Sequence, residues 1–387
     1  MRRRSRTPVR RLRDRLLHLQ VARAALTGGA LLTAALPCVA LASPAARTTE
    51  VYAVVARYAD TSSNPRAPAT LRKILQSVRA YYAEGSGGSH QFTAEVHPSV
   101  LELAQPRPAG NCRLPDSNVL SAALREAGIS LNDRHALVLV VPASAQGCRG
   151  GVQTWFAHRE ADGSARRVPL AVSWSLTGRF VAHEIVHTHG IGHAKTLSCS
   201  KASLGVDCRT KEDGTVWDLM GNGSFQMLSA PLRTHMGWTE PAVHVDGTAT
   251  YTLGAATRPG GLPTAVQVRL PFAGNDAVKV VQPLSLWVEY RPPIGFDKRM
   301  AAPALANFAN GAMVHVTGSW RGATGARPRA LHCPTTSPCL VDATPQTGSF
   351  KDAGVALGTT WTEPFSGVQL TVDSRTETTL TVTVSVP

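Results

Sequence analysis

Residues 183 to 193 read His-Glu-Ile-Val-His-Thr-His-Gly-Ile-Gly-His. That order commits the stretch to a helix, a left-handed turn and a metal. On a helix, side chains four apart lie above one another, so His183 and His187 aim two imidazoles at one point. Glu184 sits on the neighbouring edge, within reach of a water at that point without being a ligand. Gly190 permits the left-handed turn that ends the helix, and the returning chain delivers His193 as third ligand. Three neutral nitrogens with an open fourth position describe a catalytic zinc site rather than a structural one. A bare H-E-x-x-H arises by chance in many helices; the added glycine and third histidine separate this stretch from those. His189 falls on neither ligand spacing and is expected in a partly solvated or supporting role.

The chain before this motif alternates strands and helices. Val51–Tyr58 reads as a strand, and Ala67–Ala83 as a helix with Leu71, Ile74, Leu75 and Val78 on one face. Gln91–His97 is a short strand and Asn118–Ala127 a helix. Ala136–Val141 is a continuous apolar strand of the doubly buried kind. Val152–Ala157 and Val168–Trp174 are further strands, leading into a metal-binding helix that starts near Thr177. A mixed sheet with helices packed against it is expected. From about Ala242 the character changes. Thr248–Leu253, Ala265–Leu270, Leu286–Tyr290, Ala312–Val316, Val368–Val372 and Thr379–Val384 are short, β-branched and punctuated by Gly, Pro, Asn and Asp. That pattern predicts an all-β sandwich of roughly seven strands.

At 387 residues, two globular domains are expected. With 43% hydrophobic and 17% charged residues, the chain has the composition of a folded protein and not of a disordered one. Its formal charge of +14 is unevenly spread: nine arginines against one aspartate in the first 23 residues leave +6 for all the rest. So mild an excess argues against a nucleic-acid face. The arginines precede an apolar run, Ala24–Ala42, ending in Ala40-Leu41-Ala42, which reads as a cleavable export signal with the mature chain starting near Ser43. Gly28, Gly29 and Pro37 interrupt that run and weaken it as a membrane anchor, so no stable membrane insertion is expected after cleavage. Cys38 leaves with the signal. Six cysteines remain, an even number that suits disulfides in an exported protein. The close neighbours Cys199–Cys208 and Cys333–Cys339 are expected to pair, which leaves Cys112–Cys148.

A three-histidine site needs a floor, and Trp217-Asp218-Leu219-Met220-Gly221 offers one: a tight turn placing the Met220 thioether beneath the ligands. With this turn the chain resembles the metzincin clan of zinc peptidases, whose signature joins the extended motif to a Met-turn. Within that clan it is most similar to the gametolysin-type family and its bacterial relatives. The residues carrying the resemblance are Ser173-Trp174, Gly192-His193-Ala194, Asp218-x-Met220-Gly221, and Leu228-Ser-Ala-Pro231 running to Gly237-Trp238. Weaker echoes are Trp287–Arg291 and Leu340–Pro345. The chain departs from the pattern in carrying Val186 and His189 where relatives often have glycine and asparagine. It also lacks the Met-turn tyrosine that some metzincins use as an extra ligand.

The resemblance implies an α+β fold: a signal peptide over residues 1–42, a metzincin-like zinc peptidase domain over 43–241, and an all-β sandwich over 242–387. It implies a secreted or periplasmic zinc endopeptidase with Zn2+ on His183, His187 and His193, Glu184 as general base and acid, and Met220 in the Met-turn. Its partners are protein or peptide substrates, at family level those of an extracellular matrix or cell surface. The competing reading is an exported binding or adhesion module whose sandwich grips a surface ligand and whose zinc site is vestigial. The intact ligands and base favour the enzyme.

Overall fold

In the computed structural model Arg47–Tyr58 forms β1, a strand buried on both faces because it separates two cores. Val51, Ala53 and Val55 pack with Leu71, Leu75 and Val78 of α1 (Ala67–Gly85). Tyr52, Val54 and Ala56 pack on the other side with Leu120 and Leu124 of α2 (Ser117–Glu126). β3 (His135–Val140) divides its side chains the same way, with Ala136, Val138 and Val140 to one core and Leu137 and Leu139 to the other. This is why both segments read as unbroken apolar runs. With β2 (His90–Leu103), β4 (Gly151–Arg159) and β5 (Ala165–Ser173) they make a five-stranded sheet, ordered β2-β1-β3-β5-β4. All neighbours are parallel except β4, which returns antiparallel to β5 and forms an edge.

The structure describes residues 47–387 apart from 63, 108–112, 133, 143–150, 160–162, 201, 258–259, 303–304 and 324–329. The expected signal over 1–42, its cleavage near Ser43 and the expected Cys112–Cys148 pair lie outside the described residues. The helices and strands expected up to the metal motif are present in the expected order. α3 (Gly178–His187) follows β5 and lies on the α1 side of the sheet, burying Val181, Ala182, Ile185 and Val186 in the core that also takes Leu71 and Val78.

The chain continues through β6 (Lys195–Ser198), β7 (Arg209–Lys211), α4 (Ala230–His235), β8 (Ala242–His244), β9 (Gly247–Gly254), β10 (Ala265–Arg269) and β11 (Val278–Glu289). Then come α5 (Ala306–Asn310), β12 (Met313–Gly322), β13 (Leu331–Cys333), β14 (Cys339–Val341), β15 (Thr360–Thr362), β16 (Gln369–Arg375) and β17 (Thr379–Val386). Eight of these strands form one sheet, β7-β6-β14-β12-β11-β10-β8, with β13 also on β12. The remaining four are ordered β15-β16-β17-β9. Leu286, Val288, Val314 and Val316 of the larger sheet share a core with Leu370, Val372, Leu380 and Val382 of the smaller. Among the described residues ten strands follow Pro241, against the roughly seven expected. Those outside the named segments, β8, β13, β14 and β15, are three residues long, too short to show an alternation.

Strands from either side of Ala242 share the larger sheet, because β6 pairs in parallel with β14. A division at 241/242 would run through it. Both close disulfides are formed as expected: Cys199–Cys208 bridges the β6–β7 connection and Cys333–Cys339 the β13–β14 connection. Among the described residues no helix is long and apolar enough to cross a membrane.

A fully buried ion network ties the loop after β7 to β11. Arg291 reaches Asp297 at 2.6 Å, and Arg233 on α4 reaches Glu289 Oε2 at 2.8 Å. His315 Nε2 lies 2.9 Å from the other Glu289 oxygen. Every member is a charge or dipole that burial alone would penalise, so the network holds only while complete.

Candidate metal centre

α3 ends where the motif requires. Thr188 caps it, Gly190 adopts φ +77° in the left-handed region, and the chain turns back toward the cleft. Ligand-capable nitrogens of His183, His187 and His193 all lie within 4.8 Å of one another. His187 Nε2 is 3.1 Å from His183 Nε2 and 3.2 Å from His193 Nε2.

The His183–His187 approach is not a hydrogen bond, because both protons are committed elsewhere. His183 Nδ1 donates to the Leu219 carbonyl at 2.8 Å and His187 Nδ1 to the Ile191 carbonyl at 2.6 Å. His193 Nδ1 faces Asp213 Oδ1 at 3.0 Å. With two protons held on Nδ1, the bare Nε2 lone pairs of His183 and His187 converge beside the His193 ring, an arrangement that repels itself unless a cation sits among them. Burial pushes His183 down to about 3, helped by its histidine neighbours and Arg179 and opposed by the Leu219 hydrogen bond. Burial also lowers His187. Both rings are therefore neutral at physiological pH, as ligation requires. The residues fit a metal ion.

Glu184 lies on the same helix with its Oε2 buried and without a hydrogen-bond partner. Burial first, and then the Asp213 charge, pushes its carboxyl up to about 8. A cation among the three nitrogens acts on that carboxyl in the opposite direction. Glu184 is held from behind: a Cβ on Gly151, the first residue of the edge strand β4, would fall 2.5 Å from Glu184 Cγ and 2.1 Å from the Val172 carbonyl oxygen. The ligands, Glu184, Gly151, Gln153 and Arg179 line a cleft of about 720 Å³.

The Asp218–Gly221 turn lies against the histidines. Asp218 accepts from the Met220 amide at 2.7 Å and from the Ser229 amide at 2.6 Å, and Gly221 N–H closes the turn on the Asp218 carbonyl. Met220 is fully buried, and its carbonyl accepts from Ala194 N–H, directly after His193. The turn thus touches the triad at both ends, through Leu219 and through Met220. Arg179 adds a third tie by donating to the Gly221 carbonyl at 2.9 Å.

His189 points away from the triad, as its spacing predicts. Its Nε2 faces Thr49 Oγ1 at 3.1 Å and Tyr82 Oη at 3.4 Å, and burial pushes it down to about 4. Sequence reasoning passed over Asp213, Arg179 and Gly151. Asp213 precedes a glycine, a pair that reads as a turn, and nothing in it announces a partner for His193. Its φ of +52° makes it the one described non-glycine residue in the left-handed region, and that conformation places the carboxylate beside the histidine.

No protein-family model and no curated protein matches this chain. Among solved structures it is similar to wild-type OgpA from Akkermansia muciniphila, with 12% sequence identity and a TM-score of 0.32. That match covers 75% of this chain and 95% of the other. At this level the likeness bears on neither the site nor its chemistry. On its own geometry the chain is a mixed α/β protein, with three sheets among the described residues and a three-histidine group able to hold a metal ion.

Proposed function

We propose that this chain is an exported zinc endopeptidase of metzincin type, with zinc held by His183, His187 and His193. The observation that carries the reading is the convergence of three histidine Nε2 atoms in one cleft with an unpartnered, buried Glu184 oxygen. Three imidazoles at this spacing suit zinc, which when bound would act as a Lewis acid toward water and the substrate carbonyl. Glu184 takes the proton from the attacking water and passes it to the leaving amine nitrogen, which its unpartnered oxygen leaves it free to do. Leu219 and Ile191 hold His183 and His187 in the tautomer that keeps Nε2 bare, and the Asp213 charge faces His193 Nδ1.

A peptide is favoured over other carbonyl substrates by the edge strand. Among the described residues β4 pairs only with β5, and its other side begins at the cleft with Gly151, Val152 and Gln153. An extended peptide adds there as a further strand, with its main chain recognised and its carbonyl brought toward Glu184. The N-terminal arginines, the apolar run after them and the two disulfides support export.

Glu184→Gln tests the assignment. It keeps the shape and removes the proton transfer, so the variant is expected to retain metal and fold while losing roughly 10²–10⁴-fold in peptide hydrolysis. Casein and short peptides serve as substrates, and a chelator with zinc add-back serves as control. Near-normal turnover by the variant would overturn the mechanism.

A further inference from the structure

Beside the cleft lies a larger cavity of about 1020 Å³, and Arg179 lines both. Its floor is aromatic. Phe225 stacks on Tyr81 at 5.0 Å between ring centres, and Phe296 stands 5.0 Å from each of them. Its wall carries an anomaly: Gln226 is 1% exposed, yet its Oε1 is buried without a hydrogen-bond partner. A buried amide oxygen left unpaired is disfavoured, so such a group is normally completed by something that binds. The rim is cationic. Arg179, Lys298 and Arg299 line it against one carboxylate, Glu84, whose Oε1 is already engaged by the Phe296 amide at 2.8 Å. Lys298 and Arg299 are exposed, and among the described residues neither enters an ion pair.

We infer that this cavity selects an acidic residue of the substrate close to the bond that is cut. The three features match one ligand. The aromatic floor packs an aliphatic stem, the unpaired Gln226 oxygen accepts from a substrate N–H, and the three cations balance a carboxylate. A neutral amide in its place meets the same floor but leaves the rim uncompensated. A basic residue is repelled. The cavity is also built from both halves of the chain. Arg179 and Gln226 precede Ala242, whereas Phe296, Lys298 and Arg299 follow it. Selectivity therefore depends on a segment far in sequence from the metal motif.

This inference rests on the peptidase reading, and the test separates the two. The probes are fluorescein-labelled octapeptides in which a single Glu, or Gln in its place, is moved through the sequence. Binding is read by fluorescence anisotropy to the Glu184→Gln protein, and to wild-type protein stripped of metal as a second form that does not cleave. At one position the Glu peptide is expected to bind about five-fold more tightly than its Gln twin at low salt. The Lys298→Glu/Arg299→Glu double variant is expected to abolish or reverse that preference with its metal content unchanged. Gln226→Leu is expected to weaken Glu and Gln peptides alike. Equal binding of every Glu and Gln pair would overturn the inference even if the wild-type enzyme cuts peptides. A preference lost with the double variant, in a protein that cuts nothing, would uphold the cavity and overturn the peptidase reading instead.

Discussion

Arg291 donates to the Trp217 carbonyl at 3.0 Å, so a residue just past β11 holds the start of the loop that carries Met220. The same nitrogen donates to the Met227 carbonyl at 2.9 Å and holds the loop's far end. Arg291→Ala removes both ties and leaves Asp297 buried without its counter-charge. A loss of about 3–5 kcal/mol is expected, read as a shift of the urea midpoint. Arg291→Lys is expected to recover little, since one ammonium cannot reproduce the planar fork. A shift under about 1 kcal/mol would mean the network is not the brace described.

Gly151→Ala brings a methyl group to 2.1 Å from the Val172 carbonyl oxygen and 2.5 Å from Glu184 Cγ. The first contact is with backbone and cannot swing aside. The variant is expected to displace the Glu184 carboxylate, cutting kcat about ten-fold or more while metal content stays at the wild-type level. Unchanged kcat would show that the strand tolerates the shift.

Metal affinity should sort the histidines and their support. His183→Ala is expected to lose the metal, whereas His189→Ala, facing Thr49 and Tyr82, is expected to keep it. Asp213→Asn lies between these, with affinity lowered roughly 10–100-fold because His193 loses the charge that orients its ring. Chelator competition followed by metal analysis reads all three. An Asp213→Asn protein with wild-type affinity would remove Asp213 from the site.

Acid should weaken the buried ion network around Glu289. Burial raises Glu289, but Arg291, His315 and Arg233 outweigh it and hold the carboxyl at about 2. A folded value below the ordinary carboxylate range means that stability is fully present above about pH 4.5 and is lost as pH falls toward 2. The urea midpoint is expected to drop across that window, and Glu289→Gln, already destabilised at neutral pH, should show a shallower drop. Parallel profiles for the two proteins would place the acid sensitivity elsewhere.

The metal motif was readable because its spacing is the geometry: positions 183, 187 and 193 encode one helix turn and one return. The long strands and α1 were readable because burial on one or two faces leaves a period or an unbroken run. Asp213 was not, since it reaches His193 only through the β6–β7 hairpin, whose strands span four and three residues and carry no pattern. Nor was Arg291, whose role depends on β11 running beneath the Met220 loop. The change in character at Ala242 marks where helices give way to strands. It does not reveal the pairing of β6 with β14, because parallel partners distant in sequence leave no local trace.

The loop presenting His193 is closed by main chain from 334–338. Gly192 N–H donates to the Thr336 carbonyl at 2.7 Å, Ser337 Oγ to the His193 carbonyl at 2.6 Å, and Lys195 N–H to the Pro338 carbonyl at 2.9 Å. His193 and Ser337 stand 144 residues apart. During synthesis, then, the third ligand has no fixed position until nearly the whole chain has left the ribosome. A nascent or prematurely terminated chain carries the motif without the clamp.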